Sequence, residues 1–287
     1  MKAKIIINAD DFGLCTGVNR AVAEAHTNGV LTSATLMANM PAAPEAVKIA
    51  KELPDLGVGL HLNLLDGKPL SSNKKVKVML NSDGRFKYSA MKLAVKSMLS
   101  YKIKEAIEIE LTEQIQWILS NGIRPTHFDS HKHFHCFASI YPIICRLAKK
   151  FGISMIRWPF EPASICSADW PETAAKDRRR AFIVRTMAKL NQHQTGRYIK
   201  TNLFLGLAHT GRIDEKFWAE VARTQLAGVV EIMTHPGYTD GLKADETRLL
   251  QQRRTELKWL CNEKTKKCLS DAGYKLIHYG QLPKDTE

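Results

Sequence analysis

Short apolar runs alternate with helix-like segments along almost the whole chain, and this alternation restricts the fold more than any other feature. Runs at 4–9, 30–38, 56–64, 126–130, 153–158, 202–205, 229–234 and 274–279 have the length and the Ile, Val, Leu and Thr content of strands. Between them lie segments with helical spacing. Val18, Ala21, Val22 and Ala25 share one face of 17–28, and Ile103, Ile107, Leu111, Ile115 and Ile118 line 102–120. Further helices are expected at 45–52, 140–151, 174–190, 215–225 and 245–262. Strands separated by helices pair in parallel through crossovers. Eight such units predict an α/β fold, a (β/α) TIM-like barrel, with an open doubly wound sheet as the alternative. No repeat or domain boundary interrupts the pattern, so residues 1–287 read as one domain. A Lys-, Ser- and Gly-rich stretch breaks the rhythm and reads as an insertion or lid around 66–101.

Composition narrows the function classes. Apolar residues make up 44% and charged residues 25%, which excludes a disordered or collagen-like chain. Lys plus Arg is 42 against 29 Asp plus Glu, a net charge of +13. That excess suits an acidic surface or substrate, and Lys74, Lys75, Lys77 and Arg178, Arg179, Arg180 are its densest clusters. No stripe of aromatics interleaved with cations appears, so no nucleic-acid partner is expected. The opening apolar run is shorter than the ~7–15 residues of a signal-peptide core. No run approaches the ~20 residues of a membrane span. Six cysteines are scattered without a C-x-x-C pair and read as free thiols of a cytoplasmic protein.

Polar residues that do not belong in a core gather at the C-terminal ends of the expected strands. The first strand ends in Asp10-Asp11, the third carries His61, and the fourth runs into Asp129, His131, His133 and His135. Arg157 lies on the fifth, and His235-Pro236 follows the seventh. In a βα barrel these ends meet on one face, where sites form. Each feature alone has a plainer reading: a turn for the aspartates, a satisfied core imidazole for His61, a surface arginine for Arg157. Their convergence favours a site. Alternate positions of an extended strand share a face, so the four histidines from His127 onward are expected to present several imidazoles together. One Asp with two His would leave open positions on a metal, as catalytic sites require. Asp129 is placed to orient such ligands by hydrogen bonds. His235 suits a general acid, and Arg157 suits holding a carboxylate or binding substrate.

Together, Asn8-Ala9-Asp10-Asp11-Phe12-Gly13, Gly59-Leu60-His61, Asp129-Ser130-His131-Lys132-His133-Phe134-His135 and Thr234-His235-Pro236-Gly237 resemble the YdjC-like (ChbG-type) carbohydrate deacetylases, from Lys4 to about Gly280. Within that family, the His-Lys-His-Phe-His form and Arg157-Trp158-Pro159-Phe160-Glu161-Pro162 are most similar to the hopanoid-biosynthesis-associated HpnK branch. The resemblance implies a β/α barrel of the glycoside hydrolase/deacetylase type and a divalent metal, Mg or Zn. It implies metal binding by Asp11, His61 and His131, water activation by Asp10, and protonation of the leaving amine by His235. The two aspartates can exchange roles on this evidence. Asp129, His133, His135 and Arg157 are assigned to substrate binding or to orienting the others. The implied substrate is an N-acetylated sugar or glycolipid, either a glycosyl hopanoid or a chitooligosaccharide. Apart from the resemblance, the basic clusters suit peripheral contact with an anionic inner membrane face, the cysteines suit the cytoplasm, and a homodimer is expected from base rates alone. A metal-dependent phosphoesterase or amidohydrolase on a similar barrel is the rival reading.

Overall fold

The computed structural model describes residues 2–166, 170–191, 198, 201–242 and 247–283. Its centre is β1 (Lys4–Phe12), buried from Ile5 onward. The C-terminal half of β1 pairs with β2 (Ser33–Leu36), and its first two residues pair with β7 (Lys275–Leu276). Its other edge pairs with β6 (Val229–Thr234). The sheet runs β4 (Phe128–Ser130), β3 (Gly57–Leu62), β2, β1, β6, β5 (Leu203–Leu205), and every pairing is parallel. Strands buried on both faces need no apolar–polar alternation, which is why they read as continuous apolar runs.

The expected eight-stranded closed barrel is corrected to an incomplete one. The fifth expected strand, 153–158, shrinks to one bridge from Ile156 to Phe128, with Phe128 N–H bonded to Met155 O and Arg157 N–H to Phe128 O. The cause is local. Pro159 and Pro162 remove donors just beyond it, so no ladder can grow. Among the described residues no strand pairing joins Ile156 to β5. The last expected strand also shortens, because Tyr279 enters a one-turn 3-10 helix.

The helices are α1 (Thr16–Thr27), α2 (Ala43–Glu52), α3 (Ala90–Leu99), α4 (Tyr101–Ser120), α5 (Tyr141–Phe151), α6 (Ala175–Leu190), α7 (Glu215–Arg223), α8 (Gln251–Leu260) and α9 (Glu263–Asp271). Their starts and stops have ordinary causes. Pro44 sits in the first turn of α2, Asp214 caps α7 through the N–H groups of Lys216 and Phe217, and Gly152 ends α5 at φ 68°. The expected helix 245–262 is corrected to the shorter α8, and beyond it Asn262 caps the unforeseen α9. Residues 245–246 of that expectation lie outside the described residues.

The 66–101 excursion is structured. Its 3-10 turn (Lys74–Met79) packs on α4. The buried Glu110 carboxylate of α4 accepts the N–H groups of Leu70 and Ser71 at 3.0 and 2.9 Å. Its last part is α3, which sequence periodicity did not disclose. No helix among the described residues is long and apolar enough to cross a membrane.

Candidate metal and acid–base site

The adjacent aspartates reach the site through a break in strand geometry. Neighbouring residues of a regular strand face opposite ways. Here the β1–β2 register shifts between Ala9 and Phe12, and Asp11 takes φ 66°. A bulge of this kind re-aims side chains. Positive φ in a non-glycine residue is costly and persists where surrounding contacts hold it.

Those contacts are all polar. Asp11 Oδ1 lies 3.0 Å from His131 Nδ1 and 3.5 Å from His61 Nε2. Asp11 Oδ2 accepts a short bond from the buried Arg253 guanidinium of α8. Burial alone would raise the Asp11 carboxyl. Arg253 and His131 outweigh it and hold the pKa well below the usual carboxylate range.

Asp10 meets a different cation. Arg157 donates to both its oxygens, at 2.8 and 2.7 Å, while Asn8 Nδ2 donates to Oδ1 at 2.9 Å. Burial again opposes ionisation and Arg157 again wins, so Asp10 also stays anionic. The same guanidinium reaches Asp129 at 2.7 Å and Glu231 of β6 at 2.8 Å. One fully buried arginine therefore ties β1, β4 and β6 together. Arg157 is thus placed against three carboxylates.

His61 is oriented from behind. Its Nδ1 is 2.8 Å from Asp129 Oδ1 and 3.2 Å from Thr35 Oγ1, and Thr35 also donates to Asp129 Oδ2. With Nδ1–H held by a carboxylate, Nε2 keeps its lone pair for the space beside Asp11.

The histidine cluster is not an extended strand, and that expectation is corrected. The strand ends at Ser130, and 131–136 forms a 3-10 turn with Lys132 and His133 at φ 53° and 54°. The four imidazoles consequently part company. His131 joins Asp11, and its Nε2 lies 2.8 Å from Asp66 Oδ2. Burial would depress His131, but Asp11 and Asp66 outweigh it and raise its pKa to about 9. His133 packs edge-on to Phe204 with Nδ1 buried and unpartnered. His135 is locked between Ser130 Oγ at 2.6 Å and Arg157 O at 3.2 Å, and burial depresses its pKa to about 3. His127 stacks on Tyr279, with ring centroids 3.7 Å apart.

His235 follows β6 directly. Its N–H is fixed by Glu256, its Nδ1 is buried without a partner, and burial pushes its pKa down to about 4 against the pull of Asp10 and Asp11. Cys136 is buried, which pushes its thiol up and makes it a poor nucleophile.

Two trios have donor atoms within 4.8 Å of one another: Asp11, His61, His131, and Asp10, His61, Asp129. Only the first fits a cation. In the second, Arg157 already supplies the positive charge to both carboxylates, and His61 spends Nδ1 on Asp129. In the first, Arg253 takes Asp11 Oδ2 and leaves Oδ1, which faces His61 Nε2 at 3.5 Å, too far for a direct bond; a cation there would replace the proton between Asp11 Oδ1 and His131 Nδ1 while His131 Nε2–H stays on Asp66.

Sequence reasoning missed Arg253, Glu231, Glu256, Thr35 and Asp66. Asp66 ends the polar turn after β3, where the strand-end rule could have found it. Arg253 lies in a helix of ordinary surface composition and gave no signal.

The description "YdjC-like protein" fits residues 4–271 of the chain. Carbohydrate deacetylases from Brevibacillus brevis and Geobacillus stearothermophilus are 34% and 33% identical over 279 residues, covering 97% of this chain and 99% and 98% of theirs. A crystal structure of a candidate cellobiose-phosphate cleavage protein from Enterococcus faecalis superposes with a TM-score of 0.77 at 24% identity, covering 99% of this chain and all of that one. The chain belongs to the YdjC-like protein family.

Proposed function

We propose that this protein is a divalent-metal-dependent carbohydrate N-deacetylase. It would hydrolyse the acetamido group of an N-acetylglucosamine-containing substrate and release acetate. The observation that carries the reading is the convergence of Asp11, His61 and His131 beside Asp10 and His235. The full-length similarity to carbohydrate deacetylases supports it.

In this reading Asp11, His61 and His131 hold the metal. The Asp/His/His set suits zinc or manganese, and less comfortably magnesium. When bound, such an ion lowers the pKa of water and polarises a carbonyl. The protein's own groups do the rest. Asp10 accepts the proton that the attacking water loses. Arg157 and Asn8 hold that carboxylate ionised and fixed, so it is a weak base in a productive position. Asp129 and Thr35 keep the His61 ring aligned. His235 gives a proton to the departing nitrogen, because an amide anion does not leave; burial keeps this imidazole neutral at rest, so the proton it gives is one it first takes up from the pair of water and Asp10. The placement favours Asp11 as ligand and Asp10 as base, since the Asp10 oxygens are already occupied by Arg157 and Asn8.

For the substrate we favour a glycosyl hopanoid over a chitooligosaccharide, on the 131–135 and 157–162 motifs. Purified protein loaded with zinc or magnesium is incubated with N-acetylglucosaminyl hopanoid and with short chitooligosaccharides, and acetate is measured. Acetate from the lipid, lost in Asp10→Asn, is expected. Acetate from the sugars alone would discard the hopanoid. Acetate from neither would discard the deacetylase.

A further inference from the structure

The apolar side chains most exposed on this protein are not scattered. Among the described residues, every strongly exposed large apolar side chain except Val78 lies on α3, on the first residue of α4, or on α6. Single exposed apolar residues are ordinary, but clustered ones mark interaction surfaces.

Helix α3 is apolar at seven of ten positions, Ala-Met-Lys-Leu-Ala-Val-Lys-Ser-Met-Leu. A helix apolar all round is normally buried all round. Here Leu93, Ala94 and Ser97 face the protein, whereas Met91, Val95 and Met98 form an outward stripe at i, i+4 and i+7. Leu99 and Tyr101 extend it and are 80% and 79% exposed. Helix α6 repeats the design. Ala181, Val184 and Ala188 face inward, while Phe182, Ile183 and Leu190 face out, the last 71% exposed.

The two helices flank the same part of the site. Both pack on the 131–136 turn. Ser97 Oγ of α3 lies 2.7 Å from Ser139 Oγ, and Asn191, the C-cap of α6, donates to Cys136 O at 2.6 Å. Their charges are one-sided. Helix α3 has no acidic residue, and the single one of α6, Asp177, is buried. The exposed charges are Lys92 and Lys96 on α3, and Lys176, Arg178, Arg179 and Lys189 on α6.

We propose that the outward faces of α3 and α6 dock the protein on an anionic lipid bilayer, apolar stripes in the interface and cations on the headgroups. Apolar residues beside Lys and Arg are what an interfacial helix needs. Each cation held at an anionic surface strengthens binding about fivefold. A second copy of the chain fits poorly, because a symmetric pairing would set cation against cation. The sequence showed the Arg178–Arg180 cluster, but not the apolar stripes beside it, since exposure is visible only in the fold. The proposal goes beyond the deacetylase reading and does not need it. The binding measurement involves no catalysis, so either can fail alone.

The test is flotation of the full chain with phosphatidylcholine vesicles and with phosphatidylcholine–phosphatidylglycerol vesicles. Binding to the anionic vesicles is expected to exceed binding to the neutral ones by at least about tenfold and to fall with added salt. Met98→Glu with Leu99→Glu, and Phe182→Glu with Leu190→Glu, should each reduce it by about tenfold or more, with melting temperature unchanged. If a Glu pair lowers melting, the Ser pair at the same positions replaces it. Equal binding to both vesicles, no binding, or binding indifferent to both pairs would overturn the proposal. So would light scattering that shows a dimer which both pairs dissociate, because a second copy would then cover the stripes.

Discussion

Asp129 is not one of the three residues expected to ligate a metal, yet it fixes the ring of one of them, His61. Replacing it with Ala frees His61 Nδ1 and leaves Arg157 with one carboxylate fewer. Loss of such a partner weakens metal affinity about 10–100-fold. Zinc competition titration of Asp129→Ala should show that loss, and unchanged affinity would remove Asp129 from this role. Arg157 is the opposite case. Arg157→Met would leave Asp10, Asp129 and Glu231 buried without their shared cation, at a cost of about 3–5 kcal/mol. A urea midpoint close to that of the parent would contradict the network. Residue types at strand ends made Asp10, Asp11, His61, His131 and Arg157 legible in the sequence. Arg253 and Glu231 were not, because a buried charge partner on another element leaves no periodic mark in its own segment.

At the scale of elements, the site depends on how closely β3 and β4 approach. Gly59 sits two residues before His61, and a Cβ there would lie 2.4 Å from the His127 ring and 2.9 Å from the Thr35 methyl. Gly59→Ala must therefore displace the His127 ring and press on Thr35, which orients His61, and should cost about 1–3 kcal/mol. Thermal melting checks this, and an unchanged midpoint would show that the strands have slack. The order of strands and helices was legible because buried parallel strands are written as apolar runs. The bulge at Asp10-Asp11 and the turn at 131–136 were not, because a register shift is decided by neighbouring strands. The same limit explains α3: its all-round apolar composition carries no one-sided stripe to read.

For the whole molecule, buried histidines and buried glutamates pull the response to acid in opposite directions. Burial depresses His127 and His133, and holds His135 at about 3 and His235 at about 4. An unfolded histidine titrates near 6.5. As pH falls from about 6.5 towards 4, the unfolded chain takes up protons that these four histidines refuse, which lowers stability, while Glu161, Glu231 and Glu256, raised to about 7 by burial, take up protons in the folded chain first and offset part of that loss. His131 has the opposite sign. Its pKa is raised to about 9, so its contribution is full below about 6.5 and is lost as pH rises through 9. The histidine part is isolated by substitution: metal-free His135→Gln should lose less of its urea midpoint between about pH 6.5 and pH 4 than the parent, and an equal fall in both would contradict this. The closed barrel expected from eight strands failed on the same scale: closure needs a ladder on both sides of 153–158, and the prolines beyond it allow one bridge.

The most direct test of the central claim is to strip the protein with chelator and titrate zinc back while measuring acetate release from an N-acetylglucosaminyl substrate. The account predicts no release without metal, recovery that saturates at one metal per chain, and no recovery in Asp11→Ala. Full release from metal-free protein, or recovery undiminished in Asp11→Ala, would contradict it.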